Sequence, residues 1–267
     1  MSHQPRKRFG QHFLHDPRVI ERIIEAVNPA PGDQLVEIGP GEGALTLPLL
    51  ARGARLTVIE LDRDLAARLA ARPEAGATLT VVQGDALKVS LARFAAPGER
   101  LRLVGNLPYN VSTPLLFRFI EQAGVIRDMH FMLQREVVER MAAPPGSKTY
   151  GRLSVMLAAA CRVEALFEIG PGAFRPPPKV WSSVVRLEPW TAPPFPVPDA
   201  KLFAEVVRRA FGQRRKTLRN ALARLLDEAD IRAADCDPGA RAETLPAAAF
   251  GRLATVAARN WGQSPIS

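Results

Sequence analysis

Cysteine is nearly absent from this chain. Its 267 residues include only Cys161 and Cys236. Neither stands in a CxxC pair or at zinc-like spacing from a histidine, so a disulfide framework and a cysteine-built zinc site are excluded. Histidine is scarce too: there are four, in no triad or ligand spacing, which speaks against a hydrolytic triad and leaves no metal site expected. No run approaches the ~20 apolar residues that a membrane span needs. Met1 to Gly10 is basic and polar without an apolar core, so no secretory signal is expected and the cytoplasm is the expected location. No surplus apolar stripe stands out, which makes a monomer the expectation.

What is there is a balanced globular composition, 47% hydrophobic and 24% charged, in a length that suits one domain of ordinary size plus a smaller one. The net charge of +9 is unevenly spread. Residues 201 to 226 carry +7, with Arg214, Arg215, Lys216 and Arg219 at their centre, and Arg6, Lys7 and Arg8 add +3, leaving a body near neutrality. Two basic attachments on a neutral body suggest a polyanionic partner, although a charge run can equally be a solvated helical face.

Between residues 34 and 105, short β-rich runs alternate with helical patterns. The runs Gln34 to Ile38, Arg55 to Ile59, Leu79 to Val82 and Leu101 to Val104 are bounded by Gly, Asp or Asn. This predicts βαβ units, a mostly parallel sheet and helices on both faces. Ser112-Thr113-Pro114 is expected to cap the next helix. Met129 to Leu133 reads as a fifth strand, Arg135 to Ala142 and Tyr150 to Arg162 as helices, and Ala165 to Ile169 with Ser182 to Leu187 as a closing strand pair. Pro189 to Pro198 contains five prolines and reads as a boundary. The expected division is therefore 1–188 as the sheet-based domain, 189–198 as a linker and 199–267 as a helical basic domain.

In an open parallel sheet, a ligand sits beyond the carboxyl ends of the strands. The first such end is Glu37-Ile38-Gly39-Pro40-Gly41-Glu42-Gly43, where Gly39 and Gly41 let backbone approach a ligand closely. It lacks the spacing of a dinucleotide fingerprint or a phosphate loop, and Glu37 and Glu42 would repel a pyrophosphate. A cationic cofactor without phosphate, S-adenosylmethionine, suits it better. Glu60, followed by Leu61, lies 21 residues after Gly39, the distance at which an acid meets ribose hydroxyls. Asp85, followed by Ala86, can accept from the amino group of an adenine ring. The fourth end, Asn106-Leu107-Pro108-Tyr109, falls where a transferred methyl group would lie. The Asn106 side-chain oxygen and the Leu107 carbonyl can accept the two hydrogens of an exocyclic amine and localise its lone pair. Pro108 stiffens the turn, and Tyr109 offers a stacking face for a base. Alignment is then the main catalytic task, and it can supply ~7 to 11 kcal/mol without a strong base.

Gln11-His-Phe-Leu14, Glu37 to Gly43, Gly84-Asp85, Asn106 to Tyr109, Tyr150-Gly-Arg-Leu-Ser154 and Phe174-Arg-Pro-Pro-Pro-Lys-Val180 together resemble the bacterial small-subunit (16S) ribosomal RNA adenine N6,N6-dimethyltransferase family. The resemblance runs from residue 6 to about 226. It implies a Rossmann-like class I methyltransferase fold (α/β) with a small all-helical C-terminal domain. It implies dimethylation of two adjacent adenines near the 3′ end of 16S rRNA, within the 30S subunit or its precursor. It further implies that Gln11, His12 and Leu14 close over the cofactor. Many relatives have asparagine where His12 stands, a change that a backbone contact survives and a side-chain amide contact does not. Phe174 would be a second aromatic face on the target base, and Lys179, Arg214, Arg215, Lys216 and Arg219 would meet phosphates.

Three rivals share parts of this pattern. A DNA adenine methyltransferase uses a related tetrad, but Leu107 and the missing recognition insert speak against it. A large-subunit methylase of the macrolide-resistance type shares the overall plan; the Phe174 to Val180 loop and the basic C-terminal helices favour the small-subunit enzyme. A non-catalytic assembly or transcription factor would have little use for Glu60, Asp85, Asn106 and Tyr109 together.

Overall fold

The computed structural model describes residues 12–261. The chain forms two compact units, 1–138 with 164–189, and 139–163 with 190–267.

The first unit opens with β1 (Phe13–Leu14) and helix α1 (Pro17–Val27). Asp16 caps α1 by accepting from the Arg18 and Val19 amides, and Pro17 occupies its first turn. Ile23, Ile24 and Val27 are its buried stripe. The repeating part follows as β2 (Gln34–Ile38), α2 (Thr46–Ala51), β3 (Arg55–Glu60), α3 (Arg63–Ala70), β4 (Leu79–Gln83), β5 (Leu101–Asn106), α4 (Ser112–Ile120), β6 (Ile126–Gln134) and α5 (Arg135–Met141). The chain passes into the second unit within α5 and returns within β7 (Cys161–Ile169); β8 (Phe174–Arg175) then pairs with β1 in a separate two-stranded sheet, and β9 (Ser182–Pro189) completes the main sheet.

The seven-stranded sheet has the order β4-β3-β2-β5-β6-β9-β7. The pairs β3/β4, β2/β3, β2/β5 and β5/β6 are parallel, and β9 runs antiparallel to β6. Val36, Val58 and Val104 are buried at the sheet centre, as strands covered on both faces require. The order reverses between β2 and β5, the switch point beside which open α/β sheets hold ligands. The opposite, N-terminal edge is tied shut by Arg102. Its Nε donates to both Asp128 oxygens (3.1 and 3.0 Å), Nη1 donates to Asp33 (2.8 Å), and Nη2 donates to the Val27 carbonyl (2.6 Å). The polar chemistry at the other edge is therefore free to serve a ligand.

The second unit holds α6 (Arg152–Ala160), α7 (Ala200–Ala210), α8 (Leu218–Leu222), α9 (Glu228–Ala233) and α10 (Ala247–Trp261), around a core that includes Phe203, Val206, Val207, Leu222, Ile231, Phe250 and Leu253. Three expectations need correction here. Residues 139–163, assigned by sequence to the sheet domain, belong to the helical unit, because Val155 joins that core and the Tyr150 hydroxyl donates to the Leu245 carbonyl at 2.9 Å. The proline tract is not a free linker either. Phe195 and Val197 pack on the helical core, and Gly251 leaves room for the Pro196 carbonyl, which a Cβ there would meet at 2.6 Å. The helix expected up to Arg162 also ends earlier: Cys161 is already extended (φ −155°, ψ 158°) and starts β7. No helix among the described residues is long and apolar enough to cross a membrane.

Candidate active site

The carboxyl ends of β2, β3, β4 and β5 converge on one cavity of about 230 Å³ in the first unit. Of the residues expected from sequence, His12, Leu14, Gly39, Gly41, Glu60, Leu61, Asp85, Ala86, Asn106, Leu107, Pro108 and Tyr109 all line it. Gln11, Arg6, Lys7 and Arg8 lie outside the described residues.

The glycine loop takes a shape that side chains resist. Gly39, Gly41 and Gly43 have φ of 66°, 59° and 88°, in the left-handed region where glycine carries no Cβ penalty. At Gly41 there is also no room, since a Cβ would meet the Phe13 ring at 3.1 Å. Glu60 braces this loop: Oε2 accepts from the Gly41 amide at 3.1 Å and Oε1 from the Asp62 amide at 2.8 Å. The Leu61 amide is a third backbone donor to this carboxylate, which still keeps a lone pair for a hydroxyl donor. The Asp85 carboxylate accepts from the Leu87 amide at 3.0 Å, which holds the loop after β4.

Burial sets the charge of the site. It pushes the Glu37 carboxyl up to about 8 against the Thr46 hydroxyl that donates to it at 2.6 Å, and the neighbouring Glu60 charge adds to the rise. Glu60 is raised for the same leading reason. Glu37 is thus largely protonated at neutral pH in the free protein, so the repulsion of a pyrophosphate expected from it is weaker than its residue type implies.

The turn after β5 is fixed atom by atom. Asn106 Nδ2 donates to the His12 carbonyl at 2.9 Å, which orients the amide and leaves Oδ1 as its acceptor in the cavity. The Leu107 amide donates to the Met132 carbonyl at 3.1 Å, and its side chain is fully buried. Tyr109 shares a 2.8 Å hydrogen bond with Ser182, and burial raises its phenol above the ordinary range despite that bond. It presents a neutral ring. The His12 ring stacks on Tyr109 (centroids 5.6 Å apart, planes 29° apart) while His12 Nδ1 lies 2.7 Å from the Pro176 carbonyl, to which it donates. The contact that Asn106 makes is with the His12 backbone, so it survives the exchange of asparagine for histidine at that position.

Phe174 is placed elsewhere. It pairs with Leu14 across β1/β8, is 2% exposed, and belongs to the core that also holds Leu14 and Met132. As placed it plugs the core beneath the proline-rich loop and has no open face for a base. Lys179, Arg215 and Lys216 are exposed. Arg214 is paired with Glu243 at 2.9 Å and Arg219 with Glu228 at 3.2 Å.

Sequence reasoning missed Ser182, Thr46 and Phe13. Ser182 is fully buried and 73 residues from its partner Tyr109, a separation that no local pattern reveals. Thr46 has a local signal, a hydroxyl nine residues after Glu37 in the same βα unit. Phe13 lies within the segment already expected over the cofactor.

The chain matches the family model described as ribosomal RNA adenine dimethylase over residues 2–259. It is 58% identical to the Ribosomal RNA small subunit methyltransferase A of Pseudomonas aeruginosa, covering 95% of this chain and 94% of that one. It is also 58% identical to the protein of the same name from Methylococcus capsulatus, covering 94% and 96%. Among solved structures it resembles a dimethyladenosine transferase from Plasmodium falciparum (TM-score 0.75, 26% identity, 91% of this chain and 96% of that one). It likewise resembles the 23S rRNA methyltransferase ErmE (TM-score 0.70, 26% identity, 92% and 99%). With nearly its whole length matched, the chain belongs to the ribosomal RNA adenine dimethylase family.

Proposed function

We propose that the chain transfers methyl groups from S-adenosylmethionine to the exocyclic amine of two adjacent adenines near the 3′ end of 16S rRNA, acting on the 30S subunit or its precursor. The observation that carries this is the fixed Asn106 amide. Its Nδ2 is spent on the His12 carbonyl, and its acceptor oxygen shares a cavity with a glycine cradle and acidic side chains. The names and 54–58% identity of the small-subunit relatives favour that substrate over the large-subunit RNA of the 26% identical ErmE. We further infer action in the cytoplasm as a monomer.

The cavity suits such a cofactor by its donor set. The positive-φ glycines remove side chains from its floor, Glu60 offers a lone pair for a ribose hydroxyl, and the acids favour positive charge. When bound, S-adenosylmethionine supplies an electrophilic methyl group. Asn106 Oδ1 and the Leu107 carbonyl accept the two hydrogens of the adenine amine, so its lone pair is drawn out of ring conjugation and toward the methyl carbon. A nitrogen so held would accept the methyl group that the bound cofactor supplies and would give up one proton to solvent at each transfer. Tyr109 stacks the base, which must leave its own stack to enter; the His12 ring on Tyr109 has to yield its place. The direct test is methyl uptake from labelled cofactor into unmethylated 30S subunits, 50S subunits and DNA. Label confined to the 30S subunit is expected, and label in either other acceptor overturns the assignment.

Two further outcomes follow from charge. Glu37 and Glu60 are both raised by burial, and a cationic ligand favours their ionised forms. Cofactor affinity measured by calorimetry is therefore expected to rise as pH climbs through about 8, with proton release on binding. Glu37→Gln should flatten that rise, and an unchanged profile in this variant would assign the titration elsewhere. On the helical unit, Arg215 and Lys216 form no ion pair among the described residues, whereas Arg214 and Arg219 are already paired. Neutralising Arg215 and Lys216 should weaken subunit binding and lower the salt slope by ~1 to 2, more than the paired change at Arg214 and Arg219. Equal effects of the two double variants would contradict this ranking.

A further inference from the structure

The segment Arg175 to Trp181 stands out on the first unit. Arg175, Lys179, Val180 and Trp181 are exposed, and Trp181 keeps 49% of its surface open while Phe119 and Phe131 of the core are fully buried. The backbone beneath it is fixed on both sides. The Trp181 carbonyl accepts from the Arg135 amide at 2.9 Å, and the next residue, Ser182, is fully buried and hydrogen-bonded to Tyr109 at 2.8 Å. One edge of the indole passes over Gly170, where a Cβ would meet Cη2 at 3.8 Å. A large aromatic ring is thus held outward on rigid backbone, one residue from the serine that positions the acceptor-site tyrosine.

Charge narrows what such a ring faces. Residues 170–181 contain Arg175 and Lys179 and no acid. Glu168, just ahead of this segment, is paired with Arg135 at 3.5 Å. Cationic side chains interleaved with an exposed aromatic fit a nucleic-acid strand, with phosphates on the cations and a base on the ring. We propose that Trp181 is a stacking platform for a nucleotide neighbouring the target adenine, so that the strand is held by Trp181 outside the cavity and by Tyr109 within it. This rests on the proposed rRNA substrate and adds a residue that positions it. Trp181 touches no reacting atom; it acts on how the strand is presented.

The test uses the full chain with unmethylated 30S subunits. Trp181→Ala is expected to raise KM for the subunit roughly 5- to 50-fold, with kcat and cofactor affinity within twofold, and Trp181→Phe should recover most of the loss. A merely structural role would instead lower the unfolding temperature and cofactor affinity together. Tryptophan fluorescence gives a readout independent of turnover. Subunit binding should quench the wild type, Trp181→Phe should lose most of that quench, and Trp190→Phe should retain it. A KM within twofold of wild type in Trp181→Ala, or a quench that persists in Trp181→Phe, overturns the platform. Failure of the wild type to methylate 30S subunits overturns the proposed substrate instead, while the quench on the nucleic acid it does methylate still decides the role of Trp181.

Discussion

Replacing Asn106 with alanine should lower kcat by about 10²- to 10³-fold, the usual cost of losing one preorganised hydrogen-bonding group aimed at the reacting atoms, with cofactor affinity kept within several-fold. The amide does two jobs. Its Nδ2 anchors the His12 carbonyl and so the segment over the cavity, and its Oδ1 accepts from the amine whose lone pair must be localised. Binding the cofactor draws mainly on the glycine loop, Glu60 and Asp85, which the substitution leaves in place. Asn106→Asp separates the two jobs: it keeps an acceptor for the amine but, like alanine, cannot donate to His12, so its cofactor affinity should match that of Asn106→Ala while its turnover exceeds it. Single-turnover rates and calorimetric affinities read the two effects apart. Turnover in Asn106→Ala within threefold of wild type would remove Asn106 from the chemistry.

Gly105→Ala should be among the most damaging glycine-to-alanine changes in the described residues. A Cβ at Gly105 would sit 2.5 Å from the Ile38 carbonyl oxygen and 3.3 Å from its backbone carbon and nitrogen. These are backbone atoms of the adjacent parallel strand, so the contact is relieved only by moving β5 away from β2. Overpacking of this kind costs about 1 to 3 kcal/mol, which lowers the unfolding temperature of a domain of this size by roughly 3 to 10 °C. The displaced strands carry Gly39 and Asn106 at their ends, so cofactor affinity should fall by about tenfold or more even where the variant stays folded. Gly124→Ala is the matched control, because no atom lies within 4 Å of its added Cβ and its φ is not in the left-handed region; it should change stability by less than about 0.5 kcal/mol. If both variants melted together and bound the cofactor alike, the close approach of β2 and β5 would have no energetic weight.

Much of this site can be read from residue order alone because its parts are local. Each strand end carries its own signal: glycines after Ile38, an acid at Glu60, another at Asp85, and the turn from Asn106. A parallel sheet then brings successive ends together without further information. What escapes is whatever depends on distant partners. Ser182 and Phe174 take their roles from segments far along the chain. The helix α6 looks like part of the sheet domain until Tyr150 and Val155 are seen joining the helical core. Local chemistry can also mislead: Ser112 and Thr113 suit a helix cap, yet the cap position is Val111 without a side-chain bond, and the Ser112 hydroxyl donates to the Tyr109 carbonyl at 3.2 Å. There the hydroxyl serves the acceptor turn rather than the helix. Helix α1 carries a legible start at Asp16-Pro17 but lies ahead of the repeating βα pattern on which the sequence reading rests.

The central claim is that the turn at 106–109 grips an exocyclic adenine amine and nothing else. Nucleoside mass analysis of unmethylated 30S subunits, after incubation with the protein and S-adenosylmethionine, reads this directly. The account predicts N6,N6-dimethyladenosine at two neighbouring positions near the 3′ end of 16S rRNA, absent when Asn106→Ala replaces the wild type. Methyl groups found on a ring nitrogen, on a ribose hydroxyl or on cytosine would contradict it.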